Sequence, residues 1–512
     1  MARAGMYVRH GSCLLIAAAA AGLGGCAVGP AFHRPPVPAG EHYRPAGEQV
    51  RGERAPSRAY RERTTLGLGA SGPWWQLFRS AQLDALVRTA LADNHDVAAA
   101  QAALQQARAG LTVGAAGRYP QIGFSAGVGR QKYGAEFLGP DAFAPFSYVA
   151  GGVSVAYQLD YLGQVRRSVQ EARAAEQYQH SELAATRLML SGQVATEALD
   201  IATARAEIHA VRNLLREDRA NLKLVRAAVA AGSEPRLDVL SAQTQLASDA
   251  TLLPPLYQRL TTAQHALAVL LGRTPASWHR PDPRLSEMRL PTQVPVALPS
   301  LLLKRRPDIL AAEAQLRAAT AAVGIATANL YPQISLSATL SEEALRPQHL
   351  FDASSLAWSL ISGLTAPLYE GGKLHAERRA ALDVLHERAE LYQQVVISAF
   401  GQVADALDAL RHDAQLRAAE HRALVLSRRR VRLERASYQA GNSGLLPVLD
   451  AQRQRERAQL GLLAAEHRQY LDTITLMLAA GGRVTAARSA AAAAAAVPTA
   501  PRGSVRRTSP GF

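Results

Sequence analysis

The chain has 512 residues, 48% of them apolar but only 5% aromatic, two cysteines and a formal net charge of +15. Outside the extreme N-terminus no unbroken apolar run reaches about 18 residues, which excludes a helical membrane protein of the ordinary kind, and Cys13 and Cys26 are too few for a disulfide framework or a thiolate metal cluster. The basic excess is arginine spread among glutamates and aspartates, and its one dense run, Arg428, Arg429, Arg430, Arg432 and Arg435, has no interleaved aromatic platform, so it reads as a solvated helix face and no nucleic acid partner is expected.

At the N-terminus, Arg3, Arg9 and His10 form a positive stretch ahead of a short apolar segment, Leu14 to Leu23, too short to span a bilayer. Leu23-Gly24-Gly25-Cys26 comes directly after it and resembles a bacterial lipobox. Residues 1–25 then read as a signal peptide, and Cys26 as the lipidated first residue of the mature chain. Two or three acyl chains anchor stably where one binds marginally. Cys13 would leave with the signal. Ala27 rather than aspartate stands after the cysteine, which in the lipoproteins this resembles favours outer-membrane sorting. The alternative is an ordinary secretory signal with a chance cysteine. Residues 26–72 are rich in Pro, Gly and Arg without periodicity and read as a tether; 483–512 form a low-complexity tail.

Length alone suggests about three or four domains, but an internal repeat replaces them with one elongated, twice-repeated unit. Asp96 to Ile122 aligns without gaps to Asp308 to Ile334, ending in Tyr119-Pro120-Gln121-Ile122 and Tyr331-Pro332-Gln333-Ile334. Ala231-Gly232 matches Ala440-Gly441, and Val239-Leu240-Ser241-Ala242-Gln243 matches Val448-Leu449-Asp450-Ala451-Gln452. The first repeat spans 73–272 and the second 301–482, joined by a linker at 273–300.

Each repeat opens with a helix stopped near its Tyr-Pro, because proline lacks an N–H and restricts the residue before it. Beyond the Tyr-Pro the residues alternate: Ile122, Phe124, Ala126 and Val128 against glycines and serine, and Ile334, Leu336, Ala338 and Leu340 against Ser and Thr. Val153, Val155, Tyr157 and Leu159 supply a returning strand, and its counterpart near Ala357 to Leu368 alternates less cleanly. This predicts hairpins over about 121–160 and 333–368. The pattern fits transmembrane strands and equally fits two soluble hairpins.

Each hairpin feeds a long helix. In the first repeat Ile201, Ile208, Leu215, Leu222 and Val229 recur every seven residues, with Ala204, Val211 and Val225 offset. In the second, Val396, Val403, Leu410, Leu424, Val431 and Tyr438 recur, with Arg417 breaking the seam. Sustained heptads mean coiled-coil packing. A helix from about 164 to 230 would run about 100 Å. Gly232 and Gly441 mark the ends of the long helices. A second run returns through Val239, Leu246, Leu253, Leu260 and Leu267, which Pro254-Pro255 must interrupt. Four strands cannot close a barrel, so hairpins placed in a membrane require several chains per barrel.

Further motifs carry a family resemblance over roughly residues 26 to 482. They are Cys26-Ala27-Val28-Gly29-Pro30 with Phe32, Pro35 and Pro38; Trp74-Trp75-Gln76-Leu77-Phe78 with Leu83-Asp84-Ala85-Leu86; Leu253-Pro254-Pro255-Leu256; Leu267 to Gly272; and Arg305-Arg306-Pro307-Asp308-Ile309. In this order and spacing the chain resembles outer-membrane efflux lipoproteins of the NodT type, within the TolC-like outer membrane factors. The resemblance implies a mainly α fold with a β-barrel part: a homotrimer whose chains share a twelve-stranded transmembrane barrel and a long coiled-coil α-barrel. It implies a passive exit duct for drugs, toxic compounds or metal ions, without cofactor or bound metal. The partners implied are a periplasmic adaptor, an inner-membrane pump of the resistance-nodulation-division type, and outer-membrane lipid reached through acylated Cys26. Positions matching the family's periplasmic aperture are Asp238, Tyr438 and Asp450, and the turns at Gly232 and Gly441 match its adaptor-docking surface. Ser443 and Pro447 stand where some relatives carry an arginine and an aspartate, and the two aspartates also suit plain helix-start chemistry.

Two other transport or tether functions fit the same pieces: an exit channel for a type I protein secretion system, and a non-channel structural lipoprotein. An enzyme does not fit. Histidines lack the H-E-x-x-H spacing, and neither G-x-S-x-G nor a glycine-rich phosphate loop is present.

Overall fold

The computed structural model describes residues 27–36, 63–66, 72–132, 144–278, 281, 283–291, 293–296 and 302–484. In chain order the elements are β1 (Arg63–Leu66), β2 (Gly72–Pro73), a 3-10 turn at Trp74–Phe78, α1 (Ala81–Asp93), α2 (His95–Ala116), β3 (Gln121–Gln131), β4 (Phe146–Leu159), α3 (Gln164–Ala230), α4 (Arg236–Ala250), α5 (Leu253–Leu270), β5 (Gln293–Val296), α6 (Pro307–Ala328), β6 (Gln333–Ala344), β7 (Leu356–Thr365), α7 (Lys373–Gln439), α8 (Leu445–Ala479) and β8 (Arg483–Val484). The fold is mainly α with a β part, as the sequence predicts. The repeat is structural: α2 and α6 have 22 residues each, α3 and α7 have 67 each.

The chain divides into two compact units, each taking segments from both repeats. The first comprises Met1–Val37, Ala99–Leu183 and Asp308–Val396. Its centre is one antiparallel sheet ordered β3-β4-β6-β7, in which β4 pairs with β6 and so joins the hairpins of the two repeats. Register fixes the two faces, because side chains alternate along a strand. Phe124, Val153, Leu340 and Trp358 form one cross-strand row, and Ser125, Gly152, Ser341 and Ala357 the next. One face is therefore apolar and the other small or polar. In β7, where alternation is weaker in sequence, Trp358 and Leu360 keep to the apolar face and Ile361 falls on the other. α6 is long and apolar enough to cross a membrane by composition, but Ile309, Ala314, Leu316, Ala321 and Val323 are buried inside the unit.

The second unit comprises Pro38–Ala98, Ala184–Pro307 and Ile397–Phe512. The heptad positions are its core: Ile201, Ala204, Ile208, Val211, Leu215, Leu222 and Val225 on α3, and Val403, Leu410, Leu424 and Val431 on α7, are all buried. Arg417, which interrupts the seam, reaches Glu466 on α8 at 3.4 Å. The first return run breaks between α4 and α5. Pro254 and Pro255 sit in the first turn of α5, where a missing N–H costs little. The second return has no such prolines, and α8 runs unbroken for 35 residues.

Two sequence motifs become anchors here. Trp74 and Phe78 are 1% and 2% exposed, and the Trp74 indole donates to Ser191 Oγ at 3.0 Å. Arg306 donates to the carbonyl of Ala479 at 2.9 Å, satisfying a group at the C-terminal end of α8 that the helix leaves unpaired. The segments read as aperiodic are not without strands. β1, in the tether, pairs in parallel with β5, in the linker, and β2 pairs with β8 at the start of the tail. Strands of two to four residues are too short to carry a readable period.

Candidate functional site

The site built from both repeats lies where α3 turns into α4 and α7 into α8. The two turns have one backbone. Gly232 and Gly441 stand at φ +77 and +75, the left-handed region in which only glycine is unstrained. Gly232 N–H donates to Val229 O and Ser233 N–H to Ala228 O; Gly441 N–H donates to Tyr438 O and Asn442 N–H to Ser437 O. These paired bonds are a Schellman cap in each repeat. Beneath them Leu222, Val225, Ala242, Leu445 and Leu449 form a small core, with Val229, Val239, Leu246 and Tyr438 packed on it. No atom lies within 4 Å of an added Cβ at either glycine, so both turns present an open surface.

The structure brings Asp238 and Tyr438 together and adds a residue the sequence reading missed. Asp238 is in the first turn of α4. Glu234, four residues earlier in the turn before α4, shares a hydrogen bond with it. Partial desolvation, that hydrogen bond and the Asp238 charge raise the Glu234 carboxyl above the ordinary range. Burial, then the charges of Glu234 and Asp238, raise the Tyr438 phenol. The signal available for Glu234 was its i, i+4 spacing to Asp238. Asp450 is placed differently. It accepts from Arg430 at 3.1 Å and lies 3.7 Å from Arg453. Ser443 Oγ, at a position where some relatives carry arginine, is buried with no hydrogen-bond partner among the described residues.

Cys26 lies outside the described residues, but the chain immediately after it is strapped to the first unit. Val28 N–H donates to Leu162 O at 3.0 Å, and the Arg167 guanidinium donates to the carbonyls of Val28 and Gly29 at 3.2 Å each. Gly29, at φ +92, crosses α6 so closely that an added Cβ would lie 2.5 Å from Gly324 Cα. Phe32 lies 4.2 Å from the Arg317 guanidinium, and Arg34 pairs with the nearly buried Glu313 at 2.6 Å. Ala27 itself packs against Gly163, at the start of α3 and just beyond the end of β4.

The sheet is the other functional surface. Phe124 and Trp358 are each 75% exposed and Val128 80%, so the apolar face has no cover among the described residues. β3 and β7 are the edges of the four-stranded sheet.

The family model described as "Outer membrane efflux protein" matches residues 86–273 and 298–482. The pyoverdine export outer membrane protein OpmQ of Pseudomonas aeruginosa is 32% identical, over 80% of this chain and 87% of its own. Nodulation protein T of Rhizobium leguminosarum bv. viciae is 28% identical, over 91% of this chain and 92% of its own, in line with the NodT-type resemblance read from the motifs. The solved outer-membrane channel OprN superposes with a TM-score of 0.80 at 26% identity, covering 89% of this chain and 99% of its own.

Proposed function

This chain belongs to the outer membrane efflux protein family, and we propose that three copies of it build one passive exit duct for small molecules. It is an outer membrane efflux channel, not an enzyme. The observation that carries the shared-barrel reading is the sheet, with its uncovered apolar face and its two edges; the choice of three copies follows the family resemblance. An open edge in lipid leaves backbone N–H and C=O groups unsatisfied. Four strands fall short of the roughly eight of the smallest barrels. Pairing β7 of one copy with β3 of the next removes every edge, and three copies give twelve strands. The face of Ser, Gly and Thr then lines a wet lumen, and the face of Phe124 and Trp358 meets lipid.

The long helices form the periplasmic extension, three copies of which complete an α-barrel. The turns at Gly232 and Gly441 are the docking surface for a periplasmic adaptor, which joins the duct to an inner-membrane pump of the resistance-nodulation-division type that supplies the energy. Asp238, Glu234 and Tyr438 face the periplasmic aperture. Three-fold repetition turns each carboxylate into a ring that favours cations. Asp450 belongs to the same aperture as a carboxylate already held by Arg430 and Arg453. Acylated Cys26 reaches outer-membrane lipid, and the strap from Ala27 to Arg34 fixes the anchor where β4 ends. Residues 1–25 are the signal peptide and 483–512 a low-complexity tail.

Deletion of the gene tests the small-molecule reading. Susceptibility to toxic compounds or metal ions should rise while secreted protein stays unchanged. Lost polypeptide secretion with unchanged susceptibility would assign the duct to protein export instead.

A further inference from the structure

The duct does not use the dense arginine run on α7, and the structure splits that run. Arg428, Arg432 and Arg435 fall at i, i+4 and i+7 and so share one helix face. All three line a cleft of about 1100 Å³ in the second unit. Arg430 instead pairs with Glu434 at 3.6 Å and with Asp450. α3 brings Arg205 to the cleft, the segment after Pro283 brings Arg284, and α8 brings Arg455. Six arginines therefore converge there, against two glutamates, Glu217 and Glu456, among the described lining residues.

Those glutamates do not balance Arg428, Arg432, Arg435 and Arg455. Glu217 is shared by Arg435 at 3.0 Å and Arg455 at 3.1 Å. Glu456 is 6% exposed, and burial favours its neutral form. Arg428 rests on the neutral amide oxygen of Gln459 at 2.9 Å, and Arg432 makes no ion pair among the described residues. Burial, then the facing charge of Arg284, pulls the Arg205 guanidinium below its ordinary range. Cations brought together this way repel one another unless a counter-charge joins them.

We infer that this cleft binds a small multivalent oxyanion, through guanidinium forks from α7 and α8. Each fork offers paired N–H donors that match two oxygens of a phosphate or carboxylate group. The volume, about 1100 Å³, lies just above the range of small-ligand pockets, about 300–1000 Å³, and so suits several linked anionic groups better than one. No Phe, Tyr or Trp is among the described lining residues, so the cleft has no platform on which a nucleic-acid base would stack.

The test is calorimetric titration of the intact, detergent-purified protein at low salt, with inorganic tripolyphosphate in one arm and citrate in the other. Saturable binding of either is expected, and the tighter arm identifies the class. R428Q with R432Q should weaken it about tenfold or more, since two charge-assisted contacts go. R422Q with R429Q removes the same charge from exposed positions on α7 outside the cleft and should change affinity less than about twofold. If the cleft variant fails to assemble, R428K with R432K keeps the charge, loses the fork and should still weaken binding several-fold. No saturable binding of either anion would overturn the site. Equal loss in the cleft and off-cleft variants would also overturn it, by showing a response to net charge alone.

Discussion

The sheet of the first unit and the helix seam of the second use the same side chains for opposite ends. On the sheet, Ile122, Phe124, Val128, Trp358 and Leu364 are all more than two-thirds exposed. In the seam, Ile201, Ala204, Val211 and Val225 are fully buried. The seam is packed within one chain: most heptad positions on α3 and α7 are buried there, with Val229 and Tyr438 only partly so. The sheet is not. Its apolar face is exposed and β3 and β7 are its edges, which on the proposed reading meet lipid and further copies of the chain. Hydropathy misses it because most alternate residues are Ser, Gly, Thr or Ala. A membrane protein is thus hidden in a composition with few aromatics, and the one described helix apolar enough to span, α6, is largely buried.

Charging the exposed apolar face should break that contrast most severely. Leu360→Arg, near the middle of β7, is expected to cost about 2–4 kcal/mol at mid-bilayer depth. Assembled protein should disappear from the outer-membrane fraction on unheated gels. Ser359→Asn, on the opposite face, should assemble normally. Equal loss in both would mean that the two faces do not see different solvents. Truncating the seam comes next. Ile201→Ala, at a fully buried position, should cost about 2–4 kcal/mol and lower the Tm, whereas Phe124→Ala should move the Tm of detergent-solubilised protein much less.

A third prediction concerns the polar part of the helical region. Burial, then the charge and hydrogen bond of Asp249, then Glu217 and Glu456, push Asp218 from 3.8 to about 7. Between those values the folded chain holds a proton that the unfolded chain has released. This group's contribution to stability is therefore complete below 3.8, falls as pH rises to about 7, and is flat above. Asp218→Asn cannot ionise. It should be more stable than the wild type by roughly 2 kcal/mol at about pH 8 and no more stable at about pH 4. A gain of the same size at both pH values would remove the proton from the explanation. The smallest effect is expected at the turns. Gly232→Ala and Gly441→Ala place a Cβ in open space but at positive φ, costing about 1–2 kcal/mol each. Thermal melts should show two similar losses, because the two caps are built alike.

The features the sequence discloses are those that act locally or periodically. The heptads on α3 and α7 give the seam, Tyr119-Pro120 and Tyr331-Pro332 the exits of α2 and α6, Gly232 and Gly441 the caps, and Pro254-Pro255 the α4 to α5 break. Features that rest on distant pairings stay hidden. Arg34 meets Glu313 across 279 positions. Strand β1 finds β5 with four residues each. Asp450 reads as a helix-start acid like Asp238 until the fold sets Arg430 beside it. Glu234 sits in a turn among Gly, Ser and Pro, where an exposed acid carries no signal beyond its spacing to Asp238. The arginine run reads as one solvated face, yet three of its members share a cleft with residues from three other segments.

Single-channel recording is the most direct test of the central claim that this chain builds an open duct with an acidic aperture. Purified, assembled protein in planar bilayers should conduct in discrete steps with a preference for cations. Asp238→Asn with Asp450→Asn should reduce that preference. A correctly assembled oligomer that never conducts would contradict the account.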